Sequence, residues 1–88
     1  MRSLVEGSQF RRDVKLLQRR GKDMSKLRDL ILLLCDDRPL PLRYKDHPLS
    51  GNWRHFRDCH IESDWLLIYK VEGNSVFLTR TGTHSDLF

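Results

Sequence analysis

No apolar run in the 88 residues approaches the roughly 20 that a bilayer-spanning helix needs. The first residues, Met1 to Gly7, lack the long apolar stretch of a secretory leader, so the chain is expected to stay in the cytoplasm. Cysteine is scarce: Cys35 and Cys59 stand far apart and in no Cys-x-x-Cys spacing. Nothing in that spacing asks for a disulfide, although one is possible, and both thiols are read as small core residues in a reducing compartment. There is no repeat, no low-complexity segment and no linker, and 88 residues suffice for a single domain, 1–88, with one modest core. Close histidine pairs of the His-x-x-x-His kind are also missing, so no metal or other cofactor is expected.

What the chain does have is positive charge, and it is unevenly placed. Sixteen Lys and Arg face twelve Asp and Glu, for a net charge of +4. The whole excess lies in residues 8–38, with nine basic and five acidic side chains, while the remainder is balanced. A basic half beside a neutral half suits docking on a polyanion or an acidic partner, although a solvated helix surface looks the same.

Leu4-Val5 reads as a short N-terminal strand ending at Gly7, with Ser8 as the cap of a first helix. Phe10, Val14 and Leu17 recur at helical spacing until Gly21 ends the run. Met24, Leu27, Leu30, Ile31 and Leu34 mark a second helix from about Asp23. The three prolines, Pro39, Pro41 and Pro48, all fall in the irregular connection that follows. Strand-like runs then cover Trp53–Ile61, Trp65–Val71 and Ser75–Thr83, separated by Glu62-Ser63 and by the hairpin signal Gly73-Asn74. The expected fold class is α+β, in the order β-α-α-β-β-β, with an antiparallel sheet packed on a helical hairpin.

If both turns are two-residue loops, His60 lies opposite Trp65, and Asp58 opposite Leu67, which in turn faces Arg80. One sheet face then carries Arg54, Phe56, Asp58, His60, Trp65, Leu67, Tyr69, Leu78 and Arg80, with His84 on its continuation. The other carries Trp53, Cys59, Ile61, Leu66, Ile68 and Phe77 and is expected to meet the helices. The first face mixes charge with aromatics, which suits a cleft better than a core. His55 points away from it, and His47, just before Pro48, can reach either rim.

The segment Tyr44-Lys45-Asp46-His47-Pro48-Leu49-Ser50-Gly51-Asn52-Trp53 resembles the entry to the sheet in YafQ-type toxins of the RelE/ParE superfamily. So do Phe56-Arg57-Asp58-Cys59-His60-Ile61-Glu62-Ser63-Asp64-Trp65 and the C-terminal Arg80-Thr81-Gly82-Thr83-His84-Ser85-Asp86-Leu87-Phe88. The likeness runs through nearly the whole chain and is weakest over residues 1–7. It implies a RelE-like fold and the toxin of a type II toxin–antitoxin pair. Such a toxin cleaves mRNA in the ribosomal A site and is silenced by a cognate antitoxin, being a monomer when free and part of a larger complex when bound. By motif it assigns catalysis to His47, His60, Asp64, His84 and Phe88. Arg80 would face the scissile phosphate and Trp65 would adjoin the RNA; Asp58, on the cleft face by alternation, is expected to adjoin the RNA as well.

Those residue types fit the chemistry. RNA carries its own nucleophile, the 2′-hydroxyl, so a metal-free enzyme needs a base, an acid and a stabiliser of the charge on phosphorus. Histidines can serve as base and acid, Asp64 can orient one of them, and an arginine fork matches phosphate oxygens. An aromatic ring can hold a base of a single strand. Which histidine is base and which acid stays open. Two other readings also stand: a non-catalytic module that binds RNA or the ribosome, and a ParE-like toxin acting on DNA gyrase.

Overall fold

The computed structural model describes all 88 residues. Strand β1 (Ser3–Glu6) leads into helix α1 (Ser8–Arg19), which is followed by α2 (Met24–Cys35). A two-residue strand β2 (His47–Pro48) precedes the meander β3 (Arg57–Glu62), β4 (Trp65–Glu72) and β5 (Ser75–Gly82). A short helix α3 (His84–Leu87) closes the chain. The strands form one sheet in the order β1-β5-β4-β3-β2. The β-α-α-β-β-β order holds. The sheet is mixed, because β1 pairs parallel to β5, and β2 and α3 are additions to it. No helix is long and apolar enough to cross a membrane.

The helix cap moves by one residue from its expected place. Gly7, not Ser8, precedes α1, and no side chain caps it. The Gly7 N–H donates to the Leu78 carbonyl at 3.0 Å, so the chain turns from sheet to helix without a spacer. A side chain there would press within 3.3 Å of that carbonyl. Gly21, at φ +80°, lets the chain leave α1 in a left-handed conformation. Asp23 then caps α2 by accepting from the Ser25 N–H at 3.0 Å.

Both helices press the same stripe into the sheet. Phe10, Leu17, Leu27, Leu30 and Leu34 join Cys59, Trp65, Leu67, Tyr69, Val76 and Leu78 in the main core. A smaller cluster lies on the opposite face, where Leu66, Ile68 and Leu87 sit beneath Leu49, Trp53 and Phe56. Cys35 and Cys59 are both buried free thiols.

The register departs from the expected one in both hairpins, and for the same reason. Glu62 pairs with Trp65, but the next pair is His60 with Leu66, leaving Ile61 in a bulge. Along β5, Leu78 pairs with Tyr69 and Arg80 with Ile68, leaving Thr79 unpaired. Each bulge inserts one residue and shifts the pairing by one. The two shifts cancel between β3 and β5, so Asp58 and Arg80 still flank one β4 residue, now Ile68 instead of Leu67. They do not cancel for β4, whose side chains all change face. Trp65, Leu67 and Tyr69 therefore enter the helix-side core, and Leu66 and Ile68 lie under the histidines. Leu78 and Phe77 exchange faces in the same way.

Candidate functional site

Three elements from distant parts of the chain carry the histidines: β2 brings His47, β3 brings His60, and the first residue of α3 is His84. The rings form a row, with centroids 6.2 Å apart for His47 and His60 and 5.9 Å for His60 and His84. His60 is half-buried while the other two are exposed. His55 lies in the loop before β3 at φ +78° and belongs to neither pair. His55 is thus apart from His60 and His84, as the strand alternation expected, and His47 joins those two.

Each end of the row has its own orienting group. The Lys45 carbonyl can only accept, and it lies 2.8 Å from His47 Nδ1, which therefore carries the proton. His47 Nε2 is then turned to Asp58 Oδ1 at 3.0 Å. At the other end, Asp64 Oδ1 accepts from the backbone N–H of His84 at 2.9 Å and lies 2.6 Å from its Nδ1. These bonds, the backbone one first, hold the Asp64 carboxyl below the usual carboxylate range. Nδ1 is thus the donor to Asp64, and Nε2 of the exposed His84 ring is left without a protein partner.

A helix of four residues has no stability of its own, so α3 depends on its anchors. Thr83 and Asp86 form a reciprocal capping box at its start. Arg20, at the end of α1, grips Asp86 with two bonds of 2.7 and 3.1 Å, and these pull the Asp86 carboxyl well below its ordinary value. Asp64 and Arg20 together fix where His84 stands. The sequence reading ran the last strand to Thr83 and assigned no helix beyond it, although Thr83 and Asp86 carried a readable capping signature.

Asp58 lies beneath the row, 4% exposed, and its Oδ1 has no well-aligned hydrogen-bond partner. Burial pushes its carboxyl up, opposed by the nearby His47, His60 and His84. Direct contact with RNA is closed to it, which corrects the sequence-based expectation; any influence passes through the histidines. Its charged form is disfavoured in the folded state, so this group withholds stability above its raised value. The deficit disappears as pH falls to the ordinary carboxylate range. Asp58→Asn is accordingly expected to raise the melting temperature at pH 8 and to lose that advantage towards pH 4. The same variant is expected to lower RNA cleavage by about 10-fold or more, a fraction of the ~10²–10⁴ that a proton transfer supplies. Parallel melting curves and cleavage rates across pH check both.

Trp65 is the second correction. It is fully buried in the helix-side core, and its Nε1–H donates to Thr81 Oγ1 at 3.0 Å. Stacking on a base is therefore closed to it. The ring beside Phe88 is instead Trp53, at 6.4 Å between centroids and edge-on to both Phe88 and Phe56. Phe88 itself is 60% exposed. The sequence reading placed Trp53 on the opposite face, because that strand was expected to begin four residues earlier than β3 does.

Arg80 lies on the histidine face by register but is tied to α1. Its Nε and Nη2 donate to the two oxygens of Asp13 at 2.8 and 3.3 Å, and Nη1 has no protein partner. Asp13, 6% exposed, also accepts from the Thr81 N–H at 3.1 Å, on the stretch of β5 beyond the end of β1. Sequence reasoning gave Asp13 no role, since its partners Arg80 and Thr81 lie far along the chain.

His47, Asp58 and His60 present ligand atoms that lie within 4.8 Å of one another and so can hold a metal ion. Two imidazoles and a carboxylate suit zinc or copper. The structure brings these three together and sets Asp64 apart, paired with His84. A metal there would take up the same nitrogens that acid–base chemistry needs.

A family model described as a bacterial toxin of type II toxin-antitoxin system, YafQ, matches residues 2–88. The mRNA interferase toxin YafQ of Escherichia coli strain K12 is 50% identical over 88 residues, covering 99% of this chain and 96% of the relative. The crystal structure of YafQ from E. coli strain BL21(DE3) superposes with a TM-score of 0.95 at 48% identity, over 100% of this chain and 99% of the other. The toxin chain from the crystal structure of the E. coli DinJ-YafQ complex gives a TM-score of 0.93 at 49% identity, with the same coverage.

Proposed function

This chain belongs to the YafQ family of type II toxin–antitoxin toxins, and from that premise we propose that it is an mRNA interferase: a ribosome-dependent endoribonuclease that arrests translation. The observation that carries the reading is the row of three histidines, each end oriented by its own partner, on the mixed-polarity face of the sheet. One of them removes the proton of the RNA 2′-hydroxyl as it attacks phosphorus; another protonates the departing 5′-oxygen. His84 takes the acid's role: Asp64 holds its Nδ1–H, so Nε2 is the atom that meets the leaving group. His60, at the centre of the row, is the base, with His47 beside it supporting the charge that develops on phosphorus. Arg80 Nη1 is the donor available to a phosphate oxygen, and Phe88, backed by Trp53, offers a face to a base. The setting is the cytoplasm and the ribosomal A site. The toxin's other partner is a cognate antitoxin.

The direct test is induction in a bacterium with and without the neighbouring open reading frame, mapping mRNA 5′ ends. New ends within coding sequence, absent when the partner frame is co-expressed, are expected. Stalled translation with intact mRNA would sink the catalytic reading, and cleaved DNA without mRNA loss would point to gyrase.

Metal dependence gives a second test. Cleavage on ribosomes is expected to survive EDTA at a fixed free magnesium concentration that keeps ribosomes intact. Added zinc is expected to slow it, since His47, Asp58 and His60 are placed to bind the ion. Loss in EDTA that zinc restores would replace acid–base catalysis with metal chemistry.

A further inference from the structure

The Asp46 carboxylate stands one residue before His47 and gathers donors from two strands of the sheet. Its Oδ1 accepts from the Tyr69 hydroxyl at 2.6 Å and from Arg57 Nε at 3.1 Å, and Cys59 Sγ adds a weaker contact at 3.9 Å. Tyr69 is 3% exposed and Cys59 fully buried, both in the helix-side core. Burial and the bond to Asp46 push the Tyr69 phenol up, so it remains a donor throughout the physiological range.

The strand that carries His47 is short, and its further support lies on the far side of Pro48, where the Leu49 N–H donates to the Phe56 carbonyl at 3.0 Å. The strand itself has two ladder positions, His47 opposite Asp58 and Pro48 opposite Arg57, and proline has no N–H to give. The preceding loop runs through Lys45, held at φ +49°. That conformation turns the Lys45 carbonyl towards His47 Nδ1 and sets which ring nitrogen carries the proton. If Asp46 let go, the Lys45 carbonyl and the histidine ring would be free to move together.

We propose that Asp46, clamped by Tyr69 and Arg57, is the positioning residue that fixes the place and tautomer of His47 for RNA cleavage. It touches no substrate; it acts through the backbone on either side of His47. The role rests on His47 taking part in catalysis, so one of the two readouts is independent of cleavage.

The experiment uses the full chain with Asp46→Ala, Asp46→Asn and Tyr69→Phe. The first readout is the ¹⁵N spectrum of the imidazole rings in the free protein; the second is mRNA cleavage on ribosomes, resolved into kcat and KM across pH. The two His47 ring nitrogens are expected to be distinct in the parent and to move towards a common average in Asp46→Ala. That variant is also expected to lower kcat about 10²-fold with KM unchanged and to alter the pH profile. Asp46→Asn keeps an acceptor for Tyr69 and Arg57 and is expected to restore most of the rate. Should Asp46→Ala fail to fold, Tyr69→Phe removes a single hydroxyl and is expected to give a smaller change in the same direction. Unchanged His47 ring signals in a folded Asp46→Ala or Tyr69→Phe, or an unchanged kcat, would overturn the proposal. If the parent cleaves nothing, the catalytic reading falls, and the ring spectra still decide whether Asp46 positions His47.

Discussion

Replacing His84 with alanine is expected to reduce mRNA cleavage by about 10²–10⁴-fold, the contribution of one positioned proton-transfer group, and to abolish growth inhibition. The fold should not notice. The His84 side chain is 56% exposed, so little apolar burial is lost with it. The bond from its backbone N–H to Asp64 survives the change, as do the Thr83–Asp86 capping box and the Arg20 grip. Unchanged thermal melting with lost cleavage is the expected pair of results. His60→Ala is expected to behave alike, whereas His55→Ala remains toxic, because His55 stands outside the row. A double variant with Asp64→Ala should be no slower than His84→Ala alone, since an orienting group has nothing left to orient. Near-normal cleavage by His84→Ala would remove it from the mechanism, and an inactive but folded His55→Ala would show the row to be wrongly drawn.

Trp65 gives an equally large effect of the opposite kind. Alanine there is expected to destabilise the fold by about 3–5 kcal/mol, the usual range for emptying a fully buried large aromatic site. A chain of this size has a total margin of the order of 5–10 kcal/mol, so roughly half of it would go. The loss combines the cavity left in the helix-side core with the bond that Thr81 Oγ1 accepts from Trp65; the hydroxyl still donates to the Leu66 carbonyl at 2.8 Å. At about 4–8 °C per kcal/mol for a domain this small, the melting temperature should fall by well over 10 °C. Denaturant titration and calorimetry on the purified chain measure it. Trp65→Phe keeps most of the volume and should retain activity on ribosomes at low temperature. A base-stacking tryptophan would behave differently, with melting unchanged and RNA affinity reduced, and that outcome would return Trp65 to the cleft.

Much of this was legible in the chain. Helical spacing from Phe10 to Leu17 and from Met24 to Leu34 located α1 and α2, and the turn signals separated three strands. Period-two alternation placed Asp58 and His60 on one face, because alternation within a strand needs no knowledge of its neighbours. The family pattern named His47, His60, Asp64 and His84 together. The sequence also carried Asp46, Asp13 and Trp53 in plain view, but nothing in their spacing marked them. Asp46 and Trp53 stood inside the quoted family segment without a role of their own, and Asp13 on the first helix was given none either.

Tertiary structure decided what lies between strands. A bulge is one unpaired residue, and Ile61 and Thr79 give no sign of being skipped: each fits a regular strand by propensity. Whether to skip them is settled by the core, which gains the large side chains Trp65, Leu67 and Tyr69 when β4 shifts by one. That energy comes from contacts with α1 and α2, distant in the chain. Composition and pattern thus determined a small, basic α+β protein with histidines gathered at one end of a meander. Packing against the helices determined which side of β4 they look down on, and so removed Trp65 from the cleft; Trp53 came to its rim because β3 starts only at Arg57 and leaves the tryptophan in the loop before it.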